Sequence, residues 1–455
     1  MSAVAFAADG RDEEPPLQGS PWGAMRLSGL LRAAAARHGN RPAFRDQPDR
    51  EAWSGRPRLA WTHALAATVV ARLAAQFARL GLKPGSPVGI CLPNSSEAAL
   101  TILAVEEAGH RPCLLPAAWS EGEIERALEA AGVQAVATCG TLARESPAEL
   151  FCRIAARQFG LRFLCAYGPQ VPDGVIDLDR VVLVDDPEEA ADAAEPQDLG
   201  SQDGGLGSRD SLGSQDLGVI TFGARGGPAR PLHRTASSLV ASAVTFLVAA
   251  KVAPGDRILS LLAPDDHRGL ATGLAASLLS GATLECHGLF DSAALAAALD
   301  DGAPAHLVAP GWLEPAIAAA GLPSRLASTI LVHEAPIRFK AKAPLKENVV
   351  DAVSFDEMAL IARPRDAAGR FAVTIGDDRT SPARRLLRVR RDPDGTIRFA
   401  GPAAEVRPWV RSGMADAPPS PEWPDSGFRA DVFAGIVIGV SRSPQCNKSA
   451  ATAFL

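Results

Sequence analysis

The chain has few lysines, no paired cysteines and no long apolar runs, and each shortage excludes a class of function. Lysine occurs only at 83, 251, 340, 342, 346 and 448. The formal net charge of −6 and pI of about 5.8 leave no basic footprint, and the arginines are scattered singly or in pairs rather than in one stripe. Nucleic acid is therefore not an expected partner. Cysteines at 91, 113, 139, 152, 165, 286 and 446 form no C-x-x-C pair and are odd in number. That predicts reduced, mostly buried thiols in a cytoplasm rather than a disulfide framework. The opening MSAVAFAADGRDEEPP lacks the basic start and apolar core of a signal peptide, and runs such as 239–250 are too short to span a bilayer. No targeting segment and no membrane partner are expected.

What is present is a 455-residue chain with 47% hydrophobic residues and a mean hydropathy of +0.05, which suits a folded protein of two or three subdomains. After a polar arm, residues 27–38 and 62–80 carry apolar side chains at helical spacing. Lys83-Pro84-Gly85 then turns the chain into VGICLP, and Asn94-Ser95-Ser96-Glu97 starts a helix that Gly109 stops. A strand at 111–115, a helix at 121–131 and a strand at 133–138 continue a βαβ rhythm, so a parallel sheet is expected.

The same phrase recurs later in the chain. A helix at 235–250 leads through Ala253-Pro254-Gly255-Asp256 to the strand RILSLLAP, then to a helix at 268–280, Gly281 and the strand ATLECHG. Two copies of helix, Pro-Gly turn, strand, helix and Gly stop predict two similar α/β halves. Further on, strands at 306–309 and 329–332 flank a helix at 313–320. From Phe371 the runs shorten to AVTIG, RRLLRVRR, a turn at Asp392-Pro393-Asp394-Gly395, TIRFAG and FAGIVIGVS, which predicts a small antiparallel or barrel-like β subdomain. Between the halves, 185–216 is acidic and Gly/Ser-rich, with LGSQD at 199–203, LGSRD at 206–210 and LGSQD at 212–216. Such repeats read as a flexible linker, with a peptide-binding tail as the sharper alternative. The expected divisions are 1–184, a linker at 185–217, 218–369, a β subdomain at 370–442 and a tail at 443–455.

The stretch 220–230, ITFGARGGPAR, reads as a strand opening into a glycine-rich loop. Glycines reach positive φ and leave no Cβ in the way, so consecutive N–H groups can converge on an anion. A plain surface turn uses the same residues.

The order of the pieces carries a resemblance. GLKPGSPVGICLPNSSEAAL, the 220–232 loop, APDDHRGLATGLAASLLSGATLE, FDSAALAAAL and GTIRFAGP occur in the order and spacing of the adenylate-forming superfamily of acyl-CoA synthetases, luciferases and adenylation domains. The chain resembles that family from about residue 27 to 442. The resemblance implies ATP-dependent activation of a carboxylic acid to an acyl-adenylate, with Mg²⁺, and transfer to a coenzyme A or carrier-protein thiol. On the family's phosphate loop, Thr221, Gly223, Gly226 and Pro228 match, and Gly227 extends the backbone cradle. Phe222, Ala224 and Arg225 stand where hydroxyls are expected and Ala229 where lysine is expected; Arg225 or Arg230 remains as a cation.

His267 matches a histidine near the family's acyl pocket, although a lone histidine at a helix start also serves as a cap or surface residue. HEAPIR at 333–338 resembles the adenine loop through Ala335 and Pro336, with His333 and Glu334 as added bulk. SFDEMAL places Glu357 on the Mg²⁺-binding glutamate and Asp356 on a threonine. Ser426-Gly427-Phe428 aligns Phe428 with the ribose-binding aspartate, and shifted alignments offer Asp431 or Asp425. GVSRSP at 439–444 reaches the family's hinge, and Lys448 is the sole lysine beyond it, in a context unlike the family motif. The expectation is that the mobile C-terminal subdomain is absent and thiol transfer needs one supplied. Two functions follow: an impaired carboxylate-activating ligase, or an inactive relative that binds an acyl or nucleotide ligand or serves a protein partner in an assembly.

Overall fold

The computed structural model describes residues 25–182, 217–223, 230–300, 302–338, 345, 347–366, 385–410, 423–433 and 436–443. The expected linker up to Asp216, the AVTIG run and the tail after Ser443 lie outside the described residues, as do Arg225, Gly226 and Gly227.

Local signals fix many elements. The helix Leu27–His38 is capped from a distance: Glu106 Oε1 and Oε2 accept the N–H groups of Leu27 at 3.1 Å and Ser28 at 2.8 Å. Thr62 caps His63–Ala78, Ser95 caps Ser96–Glu107, and Thr235 caps Ala236–Ala250, each through its side-chain oxygen. Ser120 and Glu123 form a reciprocal capping box on Glu121–Ala131. The helix expected at 268–280 is a composite: His267–Gly269, a π-helical stretch Leu270–Leu274 and Ala275–Ser280.

The strands form three sheets. The first runs in the order Arg407–Pro408, Arg230–Arg234, Val219–Gly223, Arg111–Leu114, Pro87–Ile90, Ala135–Cys139, Phe163–Tyr167 and Ile176–Asp177, parallel except that Arg230–Arg234 pairs antiparallel with both of its neighbours. The second runs Ala359–Pro364, Val349–Phe355, Ser328–Glu334, Ala305–Pro310, Arg257–Ser260, Thr283–Cys286, Pro42–Asp46 and Ala60–Thr62, parallel except at its two edges.

Strand membership crosses the expected division at 217/218. The hairpin Val219–Gly223 and Arg230–Arg234, expected to open the second half, completes the first sheet, where Ile220 pairs with Cys113. In exchange, Pro42–Asp46 crosses to the second sheet, where Phe44 pairs with Leu284. Each buried strand thereby gains a parallel neighbour that its own half does not supply.

The helix Ser96–Glu107 lies between the sheets and is buried from Ser96 to Glu106. It shares one large core with Leu73, Phe77, Phe246, Leu270 and strand residues of both sheets. A second core lies on the far face of the first sheet under Glu121–Ala131 and Pro147–Ala155, and a third on the far face of the second sheet under Ser292–Ala298 and Glu314–Ala319. The architecture is therefore helix, sheet, helix, sheet, helix.

The β subdomain is an antiparallel sheet in the order Ile337–Arg338, Ile436–Arg442, Asp425–Phe433, Thr396–Ala400 and Arg388–Arg391. Its edge strands do not pair with each other, so among the described residues it is open rather than a closed barrel.

Candidate functional site

The C-terminal ends of strands from both sheets meet at one place, the usual ligand position in open α/β sheets. Val219–Gly223 delivers Thr221, which is fully buried. Glu357 comes just after the second-sheet strand Val349–Phe355, through Asp356 in a left-handed conformation at φ +55°. His267 starts the composite helix that follows Arg257–Ser260. Thr221 Oγ1 donates to Glu357 Oε2 at 2.6 Å, and the His267 N–H donates to Glu357 Oε1 at 3.2 Å. Three residues assigned through the resemblance, from three separate segments, thus converge on one carboxyl group.

Burial, reinforced by Asp266, pushes Glu357 up to about 7, while Thr221, Arg234 and the His267 N–H pull the other way. Asp265 is likewise pushed up to about 7 by burial and by Asp266. Asp266 caps the His267 segment by accepting the Gly269 N–H at 3.0 Å and pairs with Arg268. Arg268 also pairs with Glu334, so the adenine-loop position is tied to the histidine segment. Asp356 sits at the same end: a Cβ on Gly223 would lie 3.4 Å from Asp356 Oδ2 and 3.1 Å from Leu232.

His267 is wholly buried, which removes the reading of a surface histidine, and Asp266 rather than His267 is the cap. Its Nε2 lies 2.9 Å from Ser242 Oγ, whose single proton serves the carbonyls of Ser238 and Ala403, each at 3.1 Å. Ser242 therefore accepts from His267, which makes Nε2 the protonated nitrogen. Nδ1 has no partner among the described residues. Burial holds the ring's pKa well below its ordinary value, so the imidazole is neutral.

The other residues named through the resemblance make different contacts. Phe222 faces the core, buried and edge-on to Trp119 at 5.3 Å. Ala335 and Pro336 are joined by a cis peptide, and Ala335 belongs to the core of the β subdomain. His333 turns into the sheet, where Nε2 lies 2.8 Å from Asp351 Oδ1, and its ring fills the space where Gly311 has no Cβ. Phe428 is 2% exposed and stacks edge-on to Phe355 at 5.8 Å. Asp425 accepts the Gly427 N–H at 2.8 Å, closing its own turn. Asp431 is exposed on the Asp425–Phe433 strand, in a different sheet from Thr221, and pairs across to Gly439.

Sequence reasoning missed Arg234. This wholly buried guanidinium donates to the Glu357 carbonyl from the second strand of the hairpin. The signal for it was positional: an arginine placed across the hairpin from Val219, on the face that carries Thr221.

Among the described residues no group of three or more His, Cys, Asp or Glu side chains is arranged to hold a metal ion, and no helix is long and apolar enough to cross a membrane.

Residues 31–199 match the family model described as AMP-binding enzyme. Among solved structures, the apo form of MbtA from Mycobacterium smegmatis superimposes with a TM-score of 0.67 at 16% identity, over 92% of this chain and 76% of that one. FadD1 from Archaeoglobus fulgidus, a long-chain-fatty-acid-CoA ligase, gives 0.66 at 16% identity over 95% of this chain and 86% of that one. The O-succinylbenzoate coenzyme A synthetase MenE from Bacillus subtilis, in complex with AMP, gives 0.63 at 15% identity over 91% and 98%. At such identities the likeness shows the fold. No curated protein sequence matches the chain.

Proposed function

We propose a ligase-like role for this chain: binding of a carboxylic acid and Mg·ATP at the Thr221–Glu357–His267 cluster, with impaired activation of the acid, a reading supported by the match of residues 31–199 to the AMP-binding enzyme model and by the fold. The observation that carries this reading is the convergence of Thr221 and the His267 N–H on the Glu357 carboxyl group.

The residues present fit one end of Mg·ATP and not the other. Glu357 would hold the divalent cation, and Thr221 would face the phosphates. When bound, Mg·ATP supplies the adenylyl group for the acid. His267 is neutral and fixed by Ser242, so it offers a hydrogen-bond acceptor rather than a charge. At the ribose end one alignment offers Phe428, an aromatic core residue with no acceptor, and the shifted ones offer Asp425, which closes its own turn, or the exposed Asp431.

Impairment follows from the donor set. Phenylalanine and alanine replace hydroxyls at 222 and 224, and alanine replaces lysine at 229. Loss of one preorganised transition-state contact commonly lowers a rate by about 10²–10³, and such losses do not simply add.

A second reading, a catalytically inactive acyl- or nucleotide-binding or scaffold protein, is favoured specifically by Phe428. The test is pyrophosphate release over short, long and aromatic acids. Slow, acid-dependent release that disappears in Glu357→Gln supports the first reading. Mg·ATP binding with no release for any acid supports the second, and robust release contradicts the impairment.

A further inference from the structure

Arg234 ends the returning strand of the hairpin, opposite Val219. Thr221 pairs across with Leu232 in the same ladder, and directly paired residues face the same way, so Thr221 and Arg234 share one face. Thr221 reaches the Glu357 carboxyl from that face, and Arg234 Nη2 reaches the Glu357 main-chain carbonyl. The two strands joined by residues 224–229 thus grip one glutamate from both ends.

Among the described residues, the rest of the Arg234 fork binds only uncharged acceptors: Ser238 Oγ at 2.8 Å and the carbonyls of Ala403 at 3.3 Å, Glu405 at 3.4 Å and Met358 at 3.4 Å. Among the described residues no carboxylate lies within ion-pair distance, and Nε has no partner. Burying a guanidinium without a contacting countercharge is costly. A methionine would fill the volume without that penalty. What arginine adds is a planar fork that ties the hairpin to 357–358 and to 403–405 at once.

We propose that Arg234 is a positioning residue, fixing Glu357 against the hairpin so that Mg·ATP binding depends on Arg234 through Glu357. Asp356, just before the gripped carbonyl, is held in a left-handed conformation at φ +55°, so the turn that aims the carboxyl group is anchored on its C-terminal side by Arg234. The inference rests on the reading that Mg·ATP binds beside Glu357.

The experiment is a calorimetric titration of the full chain with Mg·ATP, in wild type, Arg234→Met, Arg234→Lys, Glu357→Gln and the Arg234→Met/Glu357→Gln double variant. Arg234→Met should weaken binding by about tenfold or more, and Arg234→Lys should recover part of that. In the Glu357→Gln background Arg234→Met should weaken nucleotide binding no further, while still lowering the melting temperature. A merely structural arginine would not give that pattern. Equal weakening in both backgrounds, or unchanged affinity in Arg234→Met, overturns the inference and leaves the proposed function standing. Wild-type protein that binds no Mg·ATP overturns both. Should Arg234→Met fail to fold, Ser238→Ala removes one anchor of the fork and should show a smaller weakening with the same dependence on Glu357; an effect independent of Glu357 overturns the inference.

Discussion

Thr221 Oγ1 donates to Glu357 Oε2 across 2.6 Å, although the two residues are 136 apart in the chain. The bond joins the end of the first sheet to the turn that leaves the second, so the site exists only when both sheets are formed. It also sets up an electrostatic tension. A carboxyl group is buried next to Asp266, and its opposing contacts are Thr221, the His267 N–H and the charge of Arg234.

That tension predicts a pH signature. Glu357 is raised from 4.5 to about 7, so between those values the folded protein keeps a proton that the unfolded chain has released. Stability therefore falls as pH rises through that window, with the full penalty above it and none below it. Glu357→Gln should melt higher than wild type at about pH 8, and the difference should vanish at about pH 4. A difference independent of pH would mean that the carboxyl group is not protonated in the folded state.

Gly269 lets the histidine segment close on the turn before it. A Cβ there would lie 1.7 Å from the carbonyl oxygen of Ala263, which is backbone and cannot swing aside. Gly269→Ala should destabilise the protein by roughly 1–3 kcal/mol through overpacking. It should also perturb His267, visible as a shifted imidazole resonance. An unchanged melting temperature would contradict the close approach.

Two sets of ion pairs should respond very differently to truncation. Arg50 is 1% exposed and pairs with both Asp46 and Glu97, while Arg56 joins Glu97 at 2.7 Å and also pairs with Asp179. Arg50→Met leaves buried carboxylates uncompensated and should cost about 3–5 kcal/mol. Arg157 is 54% exposed and pairs with Glu121 and Glu125 on a helix surface. Arg157→Met should leave stability almost unchanged, because water screens an exposed pair. Chemical denaturation of both variants separates the two cases.

Phe428→Asp restores the acceptor that the resemblance expects, yet it should not restore nucleotide binding. The ring is 2% exposed and packs on Phe355, so the substitution opens a cavity and buries a charge. We expect a loss of at least about 3 kcal/mol of stability with no gain in Mg·ATP affinity. A gain in affinity at unchanged stability would place residue 428 in the ligand site.

Legibility in the sequence followed the range of the forces. Leu27–His38 and Glu121–Ala131 were readable to the residue, because helical spacing and local stop or cap residues act within a few positions. Pro42–Asp46 and Ala60–Thr62 were not read, since they are short and their partner, Thr283–Cys286, is far along the chain. Val349–Phe355 escaped because Asp351 interrupts its apolar run; the structure pairs that carboxylate with Arg365 and hydrogen-bonds it to His333. The allegiance of the hairpin at 219–234 was hidden for the same reason of range, since chain order groups it with the half that follows. At the site, Thr221, His267 and Glu357 were named through the resemblance and do meet at the Glu357 carboxyl group. Arg234 stayed invisible because an arginine in a short strand reads as solvated until its cross-strand neighbours are known.

Central to the proposal is a weakened Mg·ATP site at the Thr221–Glu357–His267 cluster. Its most direct test is a calorimetric titration of the wild-type chain with ATP, with and without Mg²⁺, alongside Thr221→Val and Glu357→Gln. Weak binding that requires Mg²⁺ is expected, clearly weakened but still measurable in Glu357→Gln, with Thr221→Val intermediate. No heat at millimolar nucleotide, or binding indifferent to both substitutions, would contradict it.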